Sequence, residues 1–195
     1  MSMPISLPID SIAKWSTLAI ALVFFVSMAL VSMVFFKIED GGAKFGKRLI
    51  SILAGIGMAI AIGSMARSAA RDWYSYLPSA ILYSYALWLF WSAYFANRNH
   101  PLSFAFTNVA PNHLVCIGPY RRIRHPFYAA YIGAWLASFL AAPHILTALV
   151  LSTMTCIYFM AARQEERLFL TSEMHTTYKE YQRSSGMFIP PVWRT

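Results

Sequence analysis

Charge is scarce in this sequence, and acid is scarcer still. Only 12% of the 195 residues are charged, and eight Asp and Glu face sixteen Lys and Arg, a formal net charge of +8. Set against 58% hydrophobic residues, this leaves too little polar surface for an ordinary soluble domain and makes a bilayer the first environment to consider. The positive excess does not point to nucleic acid. The basic residues sit in the joints between apolar runs, and a polar phosphate-facing surface is missing. Cysteine is nearly absent: Cys116 and Cys156 are far apart, and neither has a second cysteine or a histidine at ligand spacing. Neither a disulfide framework nor a metal site is expected. No internal repeat or low-complexity tract is visible. The opening MSMPISLPIDSIAK has one late lysine and no small-residue cleavage pattern, and so does not read as a removable signal peptide.

Long apolar runs are what the sequence has in abundance. They are Trp15 to Phe36, Leu49 to Ala66, Trp73 to Ala96, Phe127 to Ala142 and Ile145 to Ala162. About 20 such residues span a hydrocarbon core as a helix. The expected fold class is all-α integral membrane with five transmembrane helices, the last two forming a C-terminal hairpin turned by Pro143-His144. In the second run Gly55, Ala59 and Gly63 recur every four residues, a face on which another helix is expected to pack closely. Trp73, Tyr74 and Tyr76 at one end of the third run, and Trp88, Trp91 and Tyr94 toward the other, fit interfacial belts. From Arg163 the chain is polar again. There Leu168, Phe169, Met174, Tyr178 and Tyr181 are spaced among charges as in an amphipathic interfacial helix, ended by Pro190-Pro191. One membrane domain, 1–195, is expected, with a three-span region 1–110 and a catalytic region 111–195.

Lys and Arg divide unevenly between the two sets of joints. One side carries Lys37, Lys44, Lys47, Arg48, Arg98, Arg121, Arg122, Arg124 and the C-terminal basic residues; the other has only Lys14, Arg67 and Arg71. With five spans, the positive-inside rule puts the N-terminus outside and the C-terminus in the cytoplasm.

Two polar motifs then share the cytoplasmic face. The first is GPYRRIRHPFY, Gly118 to Tyr128. An arginine at the bilayer centre costs roughly 2.5–3.5 kcal/mol, so Arg121, Arg122 and Arg124 belong at the interface or in a polar cavity, and topology accounts for them. Pro126 suits the first turn of a helix, which puts His125 near its cap and brings Tyr120, His125 and Tyr128 toward one cavity. The second motif, Arg163-Gln164-Glu165-Glu166, directly follows the fifth run, and a hairpin of similar arms returns it opposite His125. Its carboxylates either pair with Arg124 and solvent or receive a cationic ligand group in an otherwise basic pocket.

These residues resemble a known family. Asn112-His113-Leu114-Val115, Gly118-Pro119-Tyr120, Arg124-His125-Pro126-Phe127-Tyr128, and Arg163-Gln164-Glu165-Glu166 with Tyr178, Tyr181 and Ile189-Pro190 are similar to the integral-membrane isoprenylcysteine carboxyl methyltransferases. The related phospholipid methyltransferases share parts of the pattern. The resemblance runs from Asn112 to Pro191 and departs where Met174-His175 replaces the Phe-Gly that usually follows the glutamates.

It implies methyl transfer from S-adenosylmethionine without a soluble cofactor domain. Asn112, His113, Leu114, Val115, Tyr120, His125, Pro126, Phe127 and Tyr128 would hold the cofactor. Glu166 would accept its ammonium group with Glu165 as neighbour, and Arg163 would hold a substrate carboxylate. His125, Arg163 and Glu166 are the expected catalytic residues. The acceptor implied is lipophilic and reached from the bilayer. A prenylcysteine-like carboxylate leads, followed by a phospholipid amine and a small thiol. A carboxylate, ionised at neutral pH, needs no general base, whereas an amine or thiol must lose a proton. The opposing expectation is a non-catalytic membrane protein whose basic loop binds headgroups or a partner.

Overall fold

The computed structural model describes residues 7–34, 41–98 and 113–191. Asn112, His100-Pro101 and the joint at 37–40 lie outside the described residues. Six α-helices follow in order: α1 Leu7–Val34, α2 Gly41–Arg67, α3 Leu77–Asn97, α4 Pro126–Ala141, α5 Ile145–Leu170 and α6 His175–Ser184. Short 3-10 turns at Trp73–Tyr76 and Gly118–Arg121 precede α3 and α4. Among the described residues there is no β-strand, only one parallel bridge between Ile123 and Gly186.

Among the described residues three helices are long and apolar enough to cross a membrane, over Ile9–Met33, Arg48–Arg67 and Ile145–Leu170. The other two expected spans differ for separate reasons. α3 is long enough, but its Tyr, Trp and Ser side chains dilute its hydropathy. α4, with 16 residues, is only about 24 Å long against a core of about 30 Å. Side chains such as Val26, Leu30, Ile52, Ile56, Ile81, Leu149 and Met160 point outward and are exposed, as lipid-facing residues are.

The core is aromatic and lies between α1, α3, α4 and α5. Phe24 meets Phe90 edge-on at 5.9 Å, Phe25 lies 5.0 Å from Trp135, and Tyr131 lies 5.3 Å from Tyr158. Edge-to-face aromatic pairs fill volume without polar cost. Polar groups here pair with one another: the hydroxyls of Tyr83 and Ser138 are 2.6 Å apart, and Trp135 Nε1 donates to the Tyr158 hydroxyl at 3.4 Å. α4 packs chiefly on α3 and then on α5.

The expected packing face of α2 is corrected. A Cβ at Gly55 would meet nothing within 4 Å, and at Gly63 only the side chain of Arg67, so the Gly55, Ala59, Gly63 stripe faces away from the fold. Gly57, off that stripe, makes the close approach: its missing Cβ would stand 3.0 Å from Val150 and 3.1 Å from Trp135. Tyr76 is corrected as well, being buried rather than part of an interfacial belt.

α5 also outruns its apolar segment. His144 opens it, accepting at Nδ1 from the Leu146 amide (3.2 Å) while its own amide donates to the Thr147 hydroxyl (3.1 Å). The helix then continues through Arg163, Gln164, Glu165, Glu166 and Arg167 to Leu170. These are good helix formers, so the loss of hydrophobicity at Arg163 marks the exit from the apolar layer and not a helix end. The amphipathic element is correspondingly short, His175–Ser184.

Candidate functional site

The site is assembled by a turn, a strap and two helix ends. Gly118 takes a left-handed φ of 56°, which glycine adopts without penalty. Its bare Cα lets the turn lie against α3, since a Cβ there would be 3.3 Å from that of Ala96. This seats Tyr120 in the interior. Residues 122–125 then lie beside 186–187, with Arg124 N donating to Gly186 O (2.8 Å), Gly186 N to Arg122 O (3.0 Å) and His125 N to Met187 O (3.1 Å). The Tyr181 hydroxyl donates to the Tyr120 carbonyl at 2.6 Å. Pro126 starts α4 at a position whose amide has no helical acceptor.

α5 delivers Glu165 and Glu166 against this strap. Arg124 Nε lies 2.7 Å from Glu166 Oε1, and its Nη1 donates to the Ser185 carbonyl. Gln182 Nε2 reaches Glu166 Oε2 at 3.3 Å, and the residue is only 5% exposed. Glu165 has fewer partners: the Tyr128 hydroxyl donates to Oε1, His125 Nδ1 stands 3.3 Å from Oε2, and the side chain keeps 28% exposure. The imidazole of His125 bridges both acids, with Nε2 3.4 Å from Glu166 Oε1. That second contact is an ion pair by distance without hydrogen-bond alignment, so Nε2 has no hydrogen-bond partner. Burial pushes the His125 pKa down, but the two carboxylates within 3.4 Å of its ring nitrogens outweigh it and raise it above the ordinary 6.5. His125 stacks on Tyr128 at 5.7 Å, and Tyr128 stacks on Tyr158 at 5.5 Å.

The residues singled out in the sequence are thus partly united. Tyr120, His125, Pro126, Phe127, Tyr128, Glu165 and Glu166 gather at one end of the α4–α5 pair. Phe127 faces the core, 5.4 Å from Phe90, while His113, Leu114 and Val115 are half-buried on the approach to the Gly118 turn. Arg163 stands apart, about 200° round α5 from Glu165. It is exposed, its guanidinium 5.9 Å from the Phe159 ring, in a groove of about 440 Å³ shared with Met160, Gln164 and Arg167.

Gln182 holds Glu166 without a separate signal in the sequence, whereas the pairing of Arg124 with Glu166 is one of the two readings the sequence offers for these carboxylates. Asn97, fully buried at the end of α3, is legible only as an amide closing an apolar run.

Comparison with known proteins then supplies the family. The phospholipid methyltransferase family model matches residues 74–177, more than half of the chain, from the turn before α3 into α6. The chain belongs to the phospholipid methyltransferase family. Curated proteins give no match. Membership, together with the apolar helices, makes this an integral-membrane methyltransferase, and the matched stretch contains Tyr120, the His125–Glu165–Glu166 cluster and the Arg163 groove.

Proposed function

We propose that this methyltransferase uses S-adenosylmethionine and methylates the amine of a phospholipid headgroup at the cytoplasmic face, in a five-span fold with its N-terminus outside. The observation that carries the reading is the pair of carboxylates gathered on His125 inside the segment that matches the family. The residues fit the cofactor: paired acids suit its cationic end, and His125 and Tyr128 hold those acids at the start of α4. Bound there, the cofactor supplies an electrophilic methyl group on a sulfonium.

The chain's own work is alignment and exclusion of water, because methyl transfer is an in-line displacement on an activated carbon. Glu165, the freer carboxylate, receives the cationic groups and takes the proton that an ammonium acceptor must shed. Tyr128 and His125 fix its two oxygens. Glu166, with Arg124 and Gln182 on its oxygens, positions the strap. Tyr128, Tyr158 and Phe188 wall the site against water.

A prenylcysteine-like carboxylate is the second reading, favoured by the Arg163 and Arg167 groove, where two cations stand above apolar Phe159 and Met160. The test is methyl transfer from labelled S-adenosylmethionine by purified protein in vesicles, offered an aminophospholipid or a prenylcysteine analogue. A labelled lipid amine is the expected product; a base-labile methyl ester would select the second reading, and no product with either acceptor would remove both.

A further inference from the structure

On the side turned away from Glu165, α5 carries a second charged feature. Phe159, Met160, Arg163, Gln164 and Arg167 line an open groove of about 440 Å³. Phe159 and Met160 are exposed in the apolar part of the helix, and Arg163 and Arg167 are exposed just beyond it. At about 3.6 residues per turn, Arg163 stands one turn past Phe159 and Arg167 two turns past Met160, each on nearly the same face. The groove thus changes from hydrocarbon-like to cationic in the direction in which α5 leaves the apolar layer. Among the described residues neither arginine pairs with a carboxylate. The nearby acids are taken elsewhere, Glu166 by Arg124 and Glu165 by Tyr128 and His125.

We propose that this groove seats an anionic phospholipid of the surrounding bilayer, its phosphodiester between Arg163 and Arg167 and an acyl chain along Met160 and Phe159. The apolar floor asks for a chain attached to the anion, which a free phosphate lacks. No acidic side chain lines the groove, and the Phe159 ring already faces the Arg163 guanidinium, so the ammonium of a zwitterionic headgroup finds no partner there. Guanidinium forks suit phosphate oxygens, and their stems suit the apolar floor. This lipid is not the one methylated. The groove lies across α5 from Glu165, and a helix with its side chains is about 10–12 Å thick, more than the two-carbon arm between a headgroup phosphate and its amine can cross. The assignment rests on the leading reading above, since the second would fill the same groove with a prenylcysteine-like carboxylate. α5 runs unbroken past Glu165 and Glu166, so a lipid held at Arg163 and Arg167 fixes the depth at which the acid cluster meets the headgroup layer.

The test is titration of the full-length protein in detergent with dioctanoyl-phosphatidylglycerol and dioctanoyl-phosphatidylcholine, with bound lipid counted by native mass spectrometry. The wild type is expected to prefer the anionic lipid by at least about tenfold. Each of Arg163→Gln and Arg167→Gln should weaken it about fivefold, and the two together about thirtyfold, the size of the attraction that a basic residue near an anionic surface supplies. Arg121→Gln with Arg122→Gln removes the same charge elsewhere and should change the affinity less than about twofold. Equal losses in the two double variants would overturn the seat, because diffuse charge would then account for binding. So would equal affinity of the wild type for both lipids, or displacement of the bound lipid by glycerol phosphate at matching concentration. Competitive displacement by a prenylcysteine analogue would overturn it too and give the groove to the acceptor. If the Arg163 and Arg167 double variant does not fold, the single substitutions decide. Failure of methyl transfer to an aminophospholipid would remove the leading reading while leaving this preference to be read by itself.

Discussion

Arg124 and Glu166, 42 residues apart, meet at 2.7 Å with both side chains largely buried. The same guanidinium also reaches the Ser185 and Gln182 carbonyls, so a single arginine ties the loop before α4 to α5 and to the C-terminal strap. Removing one member of a buried pair leaves the other charge without compensation, which costs about 3–5 kcal/mol. Arg124→Gln and Glu166→Gln are each expected to lower stability by that order in thermal unfolding. Arg124→Lys recovers little, because an ammonium lacks the planar fork that serves three acceptors. Arg121→Gln and Arg122→Gln, on exposed side chains, should stay within about 0.5 kcal/mol. Equal losses at all three arginines would contradict the special place of Arg124.

His125 makes stability depend on pH in a definite direction. The charged groups around it are Glu165 and Glu166 on α5 and the adjoining Arg124, and its net shift is upward from 6.5. A raised pKa in the folded state means that the stabilisation is fully present below 6.5 and is lost as pH rises through the folded value. Tm is therefore expected to decline from neutral toward alkaline pH, and His125→Gln should flatten that part of the profile. A wild-type Tm that rises across the same window would contradict an imidazolium held between the two acids.

These two cases show where the sequence is legible and where it stops. The apolar runs locate α1, α2 and α5 because burial in lipid demands continuous hydrophobicity. Pro126 marks the start of α4 because only the first turn tolerates it. The end of α5 is misread at Arg163, since hydropathy reports the medium around a helix while propensity continues to Leu170. The Gly55, Ala59, Gly63 period identifies a face but not its neighbour, and Gly57 is the glycine that packs. Tyr120, His125, Tyr128 and the two glutamates are legible as a gathering. So is the pairing of Arg124 with Glu166, whereas Gln182 and Asn97 acquire meaning only from contacts across the fold, which leave no trace in local spacing.

The strap rests on one glycine. A Cβ at Gly186 would stand 1.9 Å from the Ile189 carbonyl oxygen, a distance that no side-chain rearrangement relieves because the obstacle is backbone. Gly186→Ala should displace the segment that pairs with residues 122–125 and cost on the order of 2–3 kcal/mol. Limited proteolysis is the direct check: cleavage between Ser184 and Pro190 should accelerate in the variant while the helices remain protected. An unchanged cleavage rate would mean that the strap does not need this turn.

Topology can be tested from the far face, where positive charge has structural employment. Lys14 donates to the Ala66 and Ser68 carbonyls at 2.9 and 2.6 Å, and Arg71 to those of Leu140 and Ala141 at 2.9 and 2.7 Å. These cations close the C-terminal ends of α2 and α4, where carbonyls lack helical donors. Lys14→Met should cost about 1–3 kcal/mol through the stranded acceptors. Discounting these two as topological signals leaves Arg67 alone on that side and strengthens the charge asymmetry behind the proposed cytoplasmic placement of the His125 cluster. In a Cys156→Ala background, a membrane-impermeant maleimide applied to intact cells should label Ala69→Cys, on the exposed joint after α2. It should spare the exposed Cys116 until the membrane is opened. Labelling of Cys116 from outside would invert the orientation and place the acid cluster on the opposite face.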